Sequence, residues 1–323
     1  MDASDLTLIF FIRDRQFNID KLVYHYEPLK CRKVIYDSSP NPVDKDVISS
    51  LKSDNIEYVW LDGIPFLVAK NLAFSDAKTE YIMDCPDDDL FILSSIQKGL
   101  TILRENTGYV SCQGHENWYD SQTKKLFGCD TIDRYDYLLT NDSLVENPIQ
   151  RIQKEISFFV GYAHALHRTK FHLANNRFLL ENIQYKSGVW EETIPGILSA
   201  IHGNRKIIPD LWTIRHRIWS RSDETHGVDR ISCSTGRETF WYGITKAVTD
   251  EENLKPVSQY LSNSANISYE EAFKVIKSSL DEHDSKVSTK RKSLINTEGN
   301  VKLSELVRLM DTTSRHYEEL LRR

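Results

Sequence analysis

Leu6 to Ile12 (LTLIFFI) is an unbroken apolar run of strand length, the pattern of a strand covered on both faces. Ile19, Leu22, Val23 and Tyr26 follow at helical spacing, and Pro28 closes that segment. The same alternation then recurs. KVIYD (33–37) reads as a second strand, ending in turn formers, with Val47, Ile48 and Leu51 marking a short helix after it. IEYVWLD (56–62) is a third strand, followed by a helix with Phe66, Ala69, Ala73, Phe74 and Ala77 on one face. YIM (81–83) is the fourth, after which Ile92, Ile96, Leu100 and Leu103 form the apolar stripe of an amphipathic helix. YVSCQG (109–114) is the fifth strand. Such β-α-β alternation predicts an α/β fold: a mostly parallel sheet flanked by helices, with ligands bound beyond the carboxyl ends of its strands.

Farther along, Asn147 and Pro148 are an N-cap and first-turn pair ahead of Ile149, Ile152 and Ile156. FFVGYAHALHRTKF (158–171) has a strand-like pattern before a turn. Trp190, Glu191 and Glu192 stand immediately before a helix with Ile194, Ile197, Leu198 and Ile201 on its inner face and Gly203 as its stop. KIIPDLWTIRHRIWSRS (206–222) reads as a strand and then a basic, tryptophan-containing loop. From about Gly236 the pattern becomes helical: Ser268 and Glu271 form a capping box ahead of Ala272, Val275, Ile276 and Leu280. Residues 281–300 are charged and turn-rich, predicting a solvated connection before a last helix through Leu303, Leu306, Val307 and Met310. The chain contains no internal repeat.

Composition narrows the class. With 323 residues, 40% of them hydrophobic and 27% charged, the chain can bury a full core, and its length suggests two lobes. The formal charge of −6 disfavours a generic nucleic-acid binder, whose affinity rests on excess lysine and arginine. Five widely spaced cysteines without a CxxC pair indicate neither a disulfide framework nor a zinc site, and fit a reducing cytoplasm. The first residues carry acids before a short apolar run, unlike a signal peptide, and no run nears the roughly 18 apolar residues of a membrane span. A soluble, cytoplasmic protein is expected.

The candidate chemistry lies at the predicted rim. Arg13 and Arg15 follow the first strand, Asp37, Ser38 and Ser39 the second, and Asp87, Asp88 and Asp89 the fourth. Three adjacent carboxylates repel one another, so the triplet needs a reason. One reading is acids placed at the start of the following helix, where its dipole favours them. The other is a divalent cation: Asp oxygens are hard ligands for Mg²⁺ or Mn²⁺, which bind through one or two carboxylates and phosphate oxygens. The position directly after a buried strand favours the cation. No GxxxxGK[ST] occurs, nor a GxGxxG after the first strand, which removes the main warrant for P-loop and dinucleotide readings.

The succession LTLIFFIRDR, VIYDSS and TEYIMDCPDDDLF followed by a helix resembles the family 2 type glycosyltransferases with the GT-A nucleotide-sugar fold, over roughly residues 6 to 220. The resemblance implies a GT-A-like, Rossmann-like sheet with a C-terminal helical extension, divided into a nucleotide-sugar-binding half (1–120), an acceptor-binding half (121–235) and a helical region (236–323). It implies an aspartate after the second strand, here Asp37 with Ser38, at the nucleotide base, and donor contacts from Arg13, Arg15, Asp87 and Asp88. It implies Mn²⁺ or Mg²⁺ on the acidic motif, here Asp89 with Asp87. Two departures stand out: Pro86 lies where relatives begin the acidic motif, and the loop after the first strand lacks Thr-x-Asn.

The same resemblance implies inversion at the sugar carbon, with a carboxylate removing the acceptor proton. Glu191 or Glu192 matches that base in placement, although paired glutamates also suit a helix first turn. Arg215 and Arg217, with His216 and Arg221, suit a diphosphate or an anionic acceptor, or form a solvated strand edge. His164 and His167 have no metal-ligand spacing and read as packing residues. Among Trp118, Trp190, Trp212 and Trp219, core packing is the default and sugar stacking the alternative. A nucleotide-sugar donor, a UDP-sugar first, is the expected partner, with a carbohydrate or other hydroxyl as acceptor, a modified nucleic-acid base included. A homodimer through the C-terminal helices is a further expectation. The competing readings are a nucleotidyltransferase, which ordinarily needs a glycine in the loop FFIRDRQFN, and a glycan-binding module without chemistry.

Overall fold

The computed structural model describes residues 1–120, 125–128, 144–157, 164–183, 190–217, 251–291 and 300–301. For residues 115–120, 125–128, 157, 190–193, 215–217, 251, 253, 283–291 and 300–301 the description is of backbone alone.

The first half follows the alternation of the sequence. Strand β1 (Asp2–Ile12) leads through a single 3-10 turn (Gln16–Asn18) into α1 (Ile19–Tyr26), β2 (Lys30–Asp37) into α2 (Lys45–Ser53), and β3 (Ile56–Trp60) into α3 (Phe66–Asp76). After β4 (Tyr81–Asp84) comes a two-residue strand, β5 (Leu90–Phe91), then α4 (Leu93–Glu105) and the long β6 (Tyr109–Asp120). Then come β7 (Lys125–Gly128), α5 (Pro148–Ser157), β8 (Leu166–Arg168), α6 (Thr169–Asn182), α7 (Trp190–His202), β9 (Asn204–Arg217), α8 (Glu251–Ala265), α9 (Tyr269–Arg291) and β10 (Asn300–Val301).

Strand order is β10-β7-β6-β8-β4-β1-β2-β3, with β9 on the other side of β6 and β5 on β9. β1 pairs in parallel with β2 and β4, and β2 with β3. β8 runs antiparallel between β4 and β6, and β9 is parallel to β6. Thus β1, β2, β3, β4, β6 and β9 share one direction, and their carboxyl ends share one side of the sheet.

Period-2 alternation explains why Leu8–Ile12, the second half of β1, is apolar throughout. Leu6, Leu8, Phe10 and Ile12 join the core made with α1 and α4, while Ile9 joins the opposite core made with α3. Both faces of that stretch are covered, so it has no polar side. Each fully buried side chain of this kind stabilises the fold by about 1.5–3 kcal/mol. A third cluster lies among the helices, where Ile152, Leu179, Ile197, Leu261 and Ile276 bring α5 to α9 together. Where β6 meets β9, a Cβ on Gly114 would lie 2.3 Å from the Asp210 carbonyl oxygen, so only glycine permits that approach.

Several sequence expectations need correction. Trp190, Glu191 and Glu192 are the first turn of α7 rather than its lead-in. Of the strand-like run 158–171, only Leu166–Arg168 is a strand and Thr169 begins α6, a helix without apolar periodicity because its inner face is polar; residues 158–163 lie outside the described residues. Thr169, His172, Asn175 and Asn176 are all buried on it. Arg215–Arg217 lie in β9, in keeping with the strand alternative for them. Asp281–Arg291 continue α9, since no glycine or proline interrupts Tyr269–Arg291. The expected helix through Leu303 and Met310 lies outside the described residues, as does Trp219. Cys31, Cys85 and Cys112 are free and buried, and Trp212 is a core residue, as expected. No helix among the described residues is long and apolar enough to cross a membrane.

Candidate functional site

The loops after β1 and β2 are stitched together. Asp14 adopts a left-handed backbone (φ 56°), tolerable for an aspartate, and its N–H donates to Ser39 Oγ at 2.9 Å. Ser38 N–H donates to the Ile12 carbonyl at 2.9 Å. Asp37, fully buried, accepts three hydrogen bonds: from Ser39 N–H (2.8 Å) on Oδ1, and from Gln16 Nε2 (2.6 Å) and Tyr58 Oη (2.6 Å) on Oδ2. Burial, and then the bond to Asp37, push the Tyr58 hydroxyl pKa up. Asp37 therefore secures the loop, and its oxygens are already engaged.

That turn aims Arg15 at the acidic triplet. Nη1 lies 2.7 Å from Asp88 Oδ2, and Nη2 lies 2.5 Å from Asp87 Oδ1 at an angle short of a hydrogen bond. Asn18 Nδ2 donates to Asp87 Oδ2 at 2.9 Å. Burial raises the Asp87 pKa against the opposing pull of Arg15 and Asn18. Lys21 Nζ reaches the Asp88 carbonyl at 3.5 Å, and burial lowers its pKa despite the attraction of all three aspartates. Asp89 is buried with an oxygen 3.9 Å from His164 Nδ1, and Asp84 pairs with Lys70 at 2.9 Å.

The repulsion within the triplet is thus relieved first by Arg15 and Lys21. The dipole reading fails, because β5 intervenes and the first turn of α4 contains no acid. Instead β5 pairs antiparallel with β9, Leu90 opposite Ile214. Continued by one residue, that register sets the Asp89 backbone across from Arg215. The structure therefore brings Arg15, the triplet and the end of β9 to one rim. Arg13 is exposed and near only Asp14 among the described residues. The side chains of Arg215, Arg217, Glu191 and Glu192 lie outside the described residues.

A divalent ion bound with its phosphate needs one or two carboxylates. Of the triplet, Asp88 is 27% exposed, whereas Asp87 and Asp89, the pair that the resemblance implies for a metal, are buried. No three His, Cys, Asp or Glu side chains among the described residues form a cage of their own.

Reading the sequence missed Gln16, Asn18, Lys21 and Lys70. A signal was present for part of the set: Asn18, Lys21 and His25 recur at helical spacing along one flank of the apolar stripe of α1. His25 Nε2 makes a 2.8 Å hydrogen bond with the Phe91 carbonyl, which ties that polar stripe to β5.

No family model matches the chain, and no curated protein does. Among solved structures, it is similar to the crystal structure of S. aureus TarS 1-349 in complex with UDP-GlcNAc, at a TM-score of 0.53 and 12% identity over 95% of this chain and 81% of that one. It is also similar to the S. aureus TarS crystal structure, at a TM-score of 0.51 and 12% identity over 98% of its length. The chain spans half the length of that TarS chain. At such identity the likeness shows the fold: α/β and GT-A-like, with helices flanking a sheet that is mixed rather than mostly parallel, since β8, β7, β5 and β10 all pair antiparallel.

Proposed function

We propose that the protein is a glycosyltransferase that takes its sugar from a nucleotide-diphosphate sugar, a UDP-sugar first, and passes it to an acceptor hydroxyl. The observation that carries this reading is Arg15, 37% exposed between two carboxylates at the carboxyl ends of β1 and β4. It lies in a fold shared with a protein crystallised with UDP-GlcNAc. A guanidinium pairs with phosphate in the same planar geometry it uses for carboxylate, so a diphosphate arriving at this rim is a competing partner for Arg15.

The chain's residues then divide the work. Arg15 and Lys21 hold the diphosphate, and Arg215 and Arg217, at the end of β9, supply further positive charge to it or to an anionic acceptor. Glu191 or Glu192, in the first turn of α7, removes the acceptor proton as the hydroxyl attacks from the opposite side of the sugar carbon, which inverts it. Asp88, Asp87 and Asp89 would together hold Mn²⁺ or Mg²⁺, which would supply positive charge to offset that of the diphosphate leaving group. In this reading residues 1–120 take the donor and 121–235 the acceptor, a carbohydrate or another hydroxyl compound, in a cytoplasmic setting.

A ligand that binds the native state raises apparent stability. Melting is followed with UDP-, GDP-, CMP- and TDP-sugars, with and without Mn²⁺, and donor cleavage is then assayed. Stabilisation by one donor class, strengthened by Mn²⁺ and accompanied by release of its diphosphate, is expected. No stabilisation by any donor would sink the reading, and binding without turnover would leave a glycan- or nucleotide-binding module.

A further inference from the structure

A second concentration of charge lies at the opposite end of the sheet from the triplet, where β9 begins. The last turn of α7, the start of β9 and one side of α5 enclose a recess of about 430 Å³, its open mouth included, with Arg151, Lys154, Glu155, Ser199, Asn204 and Arg205 on its wall. Side chains tie these elements together. Arg151 donates from Nε to the Ala200 carbonyl at 2.6 Å and from Nη2 to the Ile201 carbonyl at 2.7 Å, which closes the carboxyl end of α7. Its Nη1 donates to the carbonyls of Val145 at 2.9 Å and Glu146 at 2.5 Å. Asn204 Oδ1 accepts from the Val145 N–H at 3.0 Å, and its Nδ2 donates to the Val145 carbonyl at 3.1 Å. Arg205, 7% exposed, pairs with Glu155, 12% exposed.

The charges on this wall do not balance: three cations share it with one carboxylate, and that carboxylate is committed to Arg205. Every acceptor that Arg151 meets among the described residues is a neutral carbonyl, and burial alone lowers its pKa. The carboxyl end of α7 offsets about half a charge, so an excess of roughly one and a half positive charges remains. Burial also lowers the Lys154 pKa against the pull of Glu155, so its ammonium is short of water. An anion with hydrogen-bonding oxygens stabilises such cations, and guanidinium and ammonium are the two groups that hold phosphate. Four of the five Arg151 N–H groups are spent on carbonyls, which leaves one on Nη2 for a further acceptor.

We propose that this recess binds a small dianionic oxyanion of the phosphate type, held by Lys154 and Arg151 with Arg205 adding charge. The site is separate from the rim and does not rest on the donor class proposed above. Its occupant fastens α5 and α7 to the amino end of β9, because the cations that hold it come from α5 and β9 and the Arg151 guanidinium is bound to the last turn of α7. The same oxygens are presented by free phosphate and by the terminal phosphate of a larger molecule.

Hydrogen exchange of the full chain with and without inorganic phosphate, at an ionic strength fixed with chloride, locates the ion without any variant. Slowing is expected in 145–155 and 199–207; slowing confined to the rim segments 13–21 and 84–91, or none anywhere, would overturn the proposal. Calorimetric titration of phosphate into Arg15→Ala then excludes ions held at the rim. On that background Lys154→Gln should weaken phosphate binding at least about fivefold, and Glu155→Gln, which removes a like charge from the wall, should tighten it at least about fivefold. A purely structural role for these residues does not move affinity in opposite directions. Unchanged affinity in a folded Lys154→Gln, or weaker binding in a folded Glu155→Gln, would contradict the site, and if neither variant folds the exchange result decides. Glycerol phosphate separates the two sources: binding of phosphate alone supports a site for the free ion, and binding of both a site for a terminal phosphate group.

Discussion

Arg168 and Arg15 lie at opposite ends of β4 and both face carboxylates, yet their surroundings differ. Arg168 is 8% exposed and donates to the carbonyls of Leu103, Asn106 and Tyr109, to Tyr81 Oη and to Glu80. Most of those acceptors are neutral carbonyls at the end of α4 and the start of β6. Arg15 contacts only carboxylates among the described residues and keeps more than a third of its side chain open. The first arrangement can only hold the fold together. The second can exchange its partners for a ligand.

Substitutions separate the two. Arg168→Met leaves several buried carbonyls unpaired and should cost about 3–5 kcal/mol in urea unfolding, with nucleotide affinity per folded molecule little changed. Arg15→Ala should cost only about 1–2 kcal/mol of stability, because Asp87 keeps Asn18 and Asp88 gains water, while nucleotide-diphosphate affinity falls at least about tenfold in a calorimetric titration. If the two variants lost stability equally, the contrast between them would collapse.

A buried group between the two ends sharpens the contrast further. His172 stacks on His167 with ring centroids 4.2 Å apart, and burial first, then Lys70, hold its pKa down at about 3. The folded state therefore refuses a proton that the unfolded chain accepts near pH 6.5. That contribution is complete above pH 6.5 and drains away as pH falls toward 3. Stability should drop by on the order of 1–2 kcal/mol between pH 7 and pH 5, and His172→Phe should flatten the slope. The smallest effect marks a baseline far from both arginines: Asn147→Ala removes the Oδ1 that accepts from Ile149 N–H at 2.8 Å, costs about 1 kcal/mol and leaves nucleotide binding unchanged.

The contrast also explains which parts were legible in the sequence. β1 to β4 and their helices could be read because local periodicity decides them: Leu6, Leu8 and Phe10 on one face and Ile9 on the other need no partner to be recognised. The position of the triplet at the rim followed from the same alternation. α6 escaped because Thr169, His172, Asn175 and Asn176 put polar groups where an apolar stripe would signal a helix. One hydrogen bond of that face goes to a residue distant in sequence: the Pro195 carbonyl accepts from Asn175 Nδ2 at 3.3 Å. The partners of the triplet were hidden for the same reason. Arg15 and Asp88 are 73 positions apart, and only the parallel register of β1 on β4 joins them. Asp37 was correctly placed at the rim, but its saturation by Gln16, Tyr58 and Ser39 depends on three elements at once.

The central claim is that the half-open arginine at the rim holds a nucleotide diphosphate. Thermal melting of the wild type and of Arg15→Ala, each with and without saturating UDP, tests it most directly. UDP is expected to raise the melting temperature of the wild type by several degrees and to leave that of Arg15→Ala nearly unchanged. An equal rise in both proteins, or none in the wild type, would contradict it.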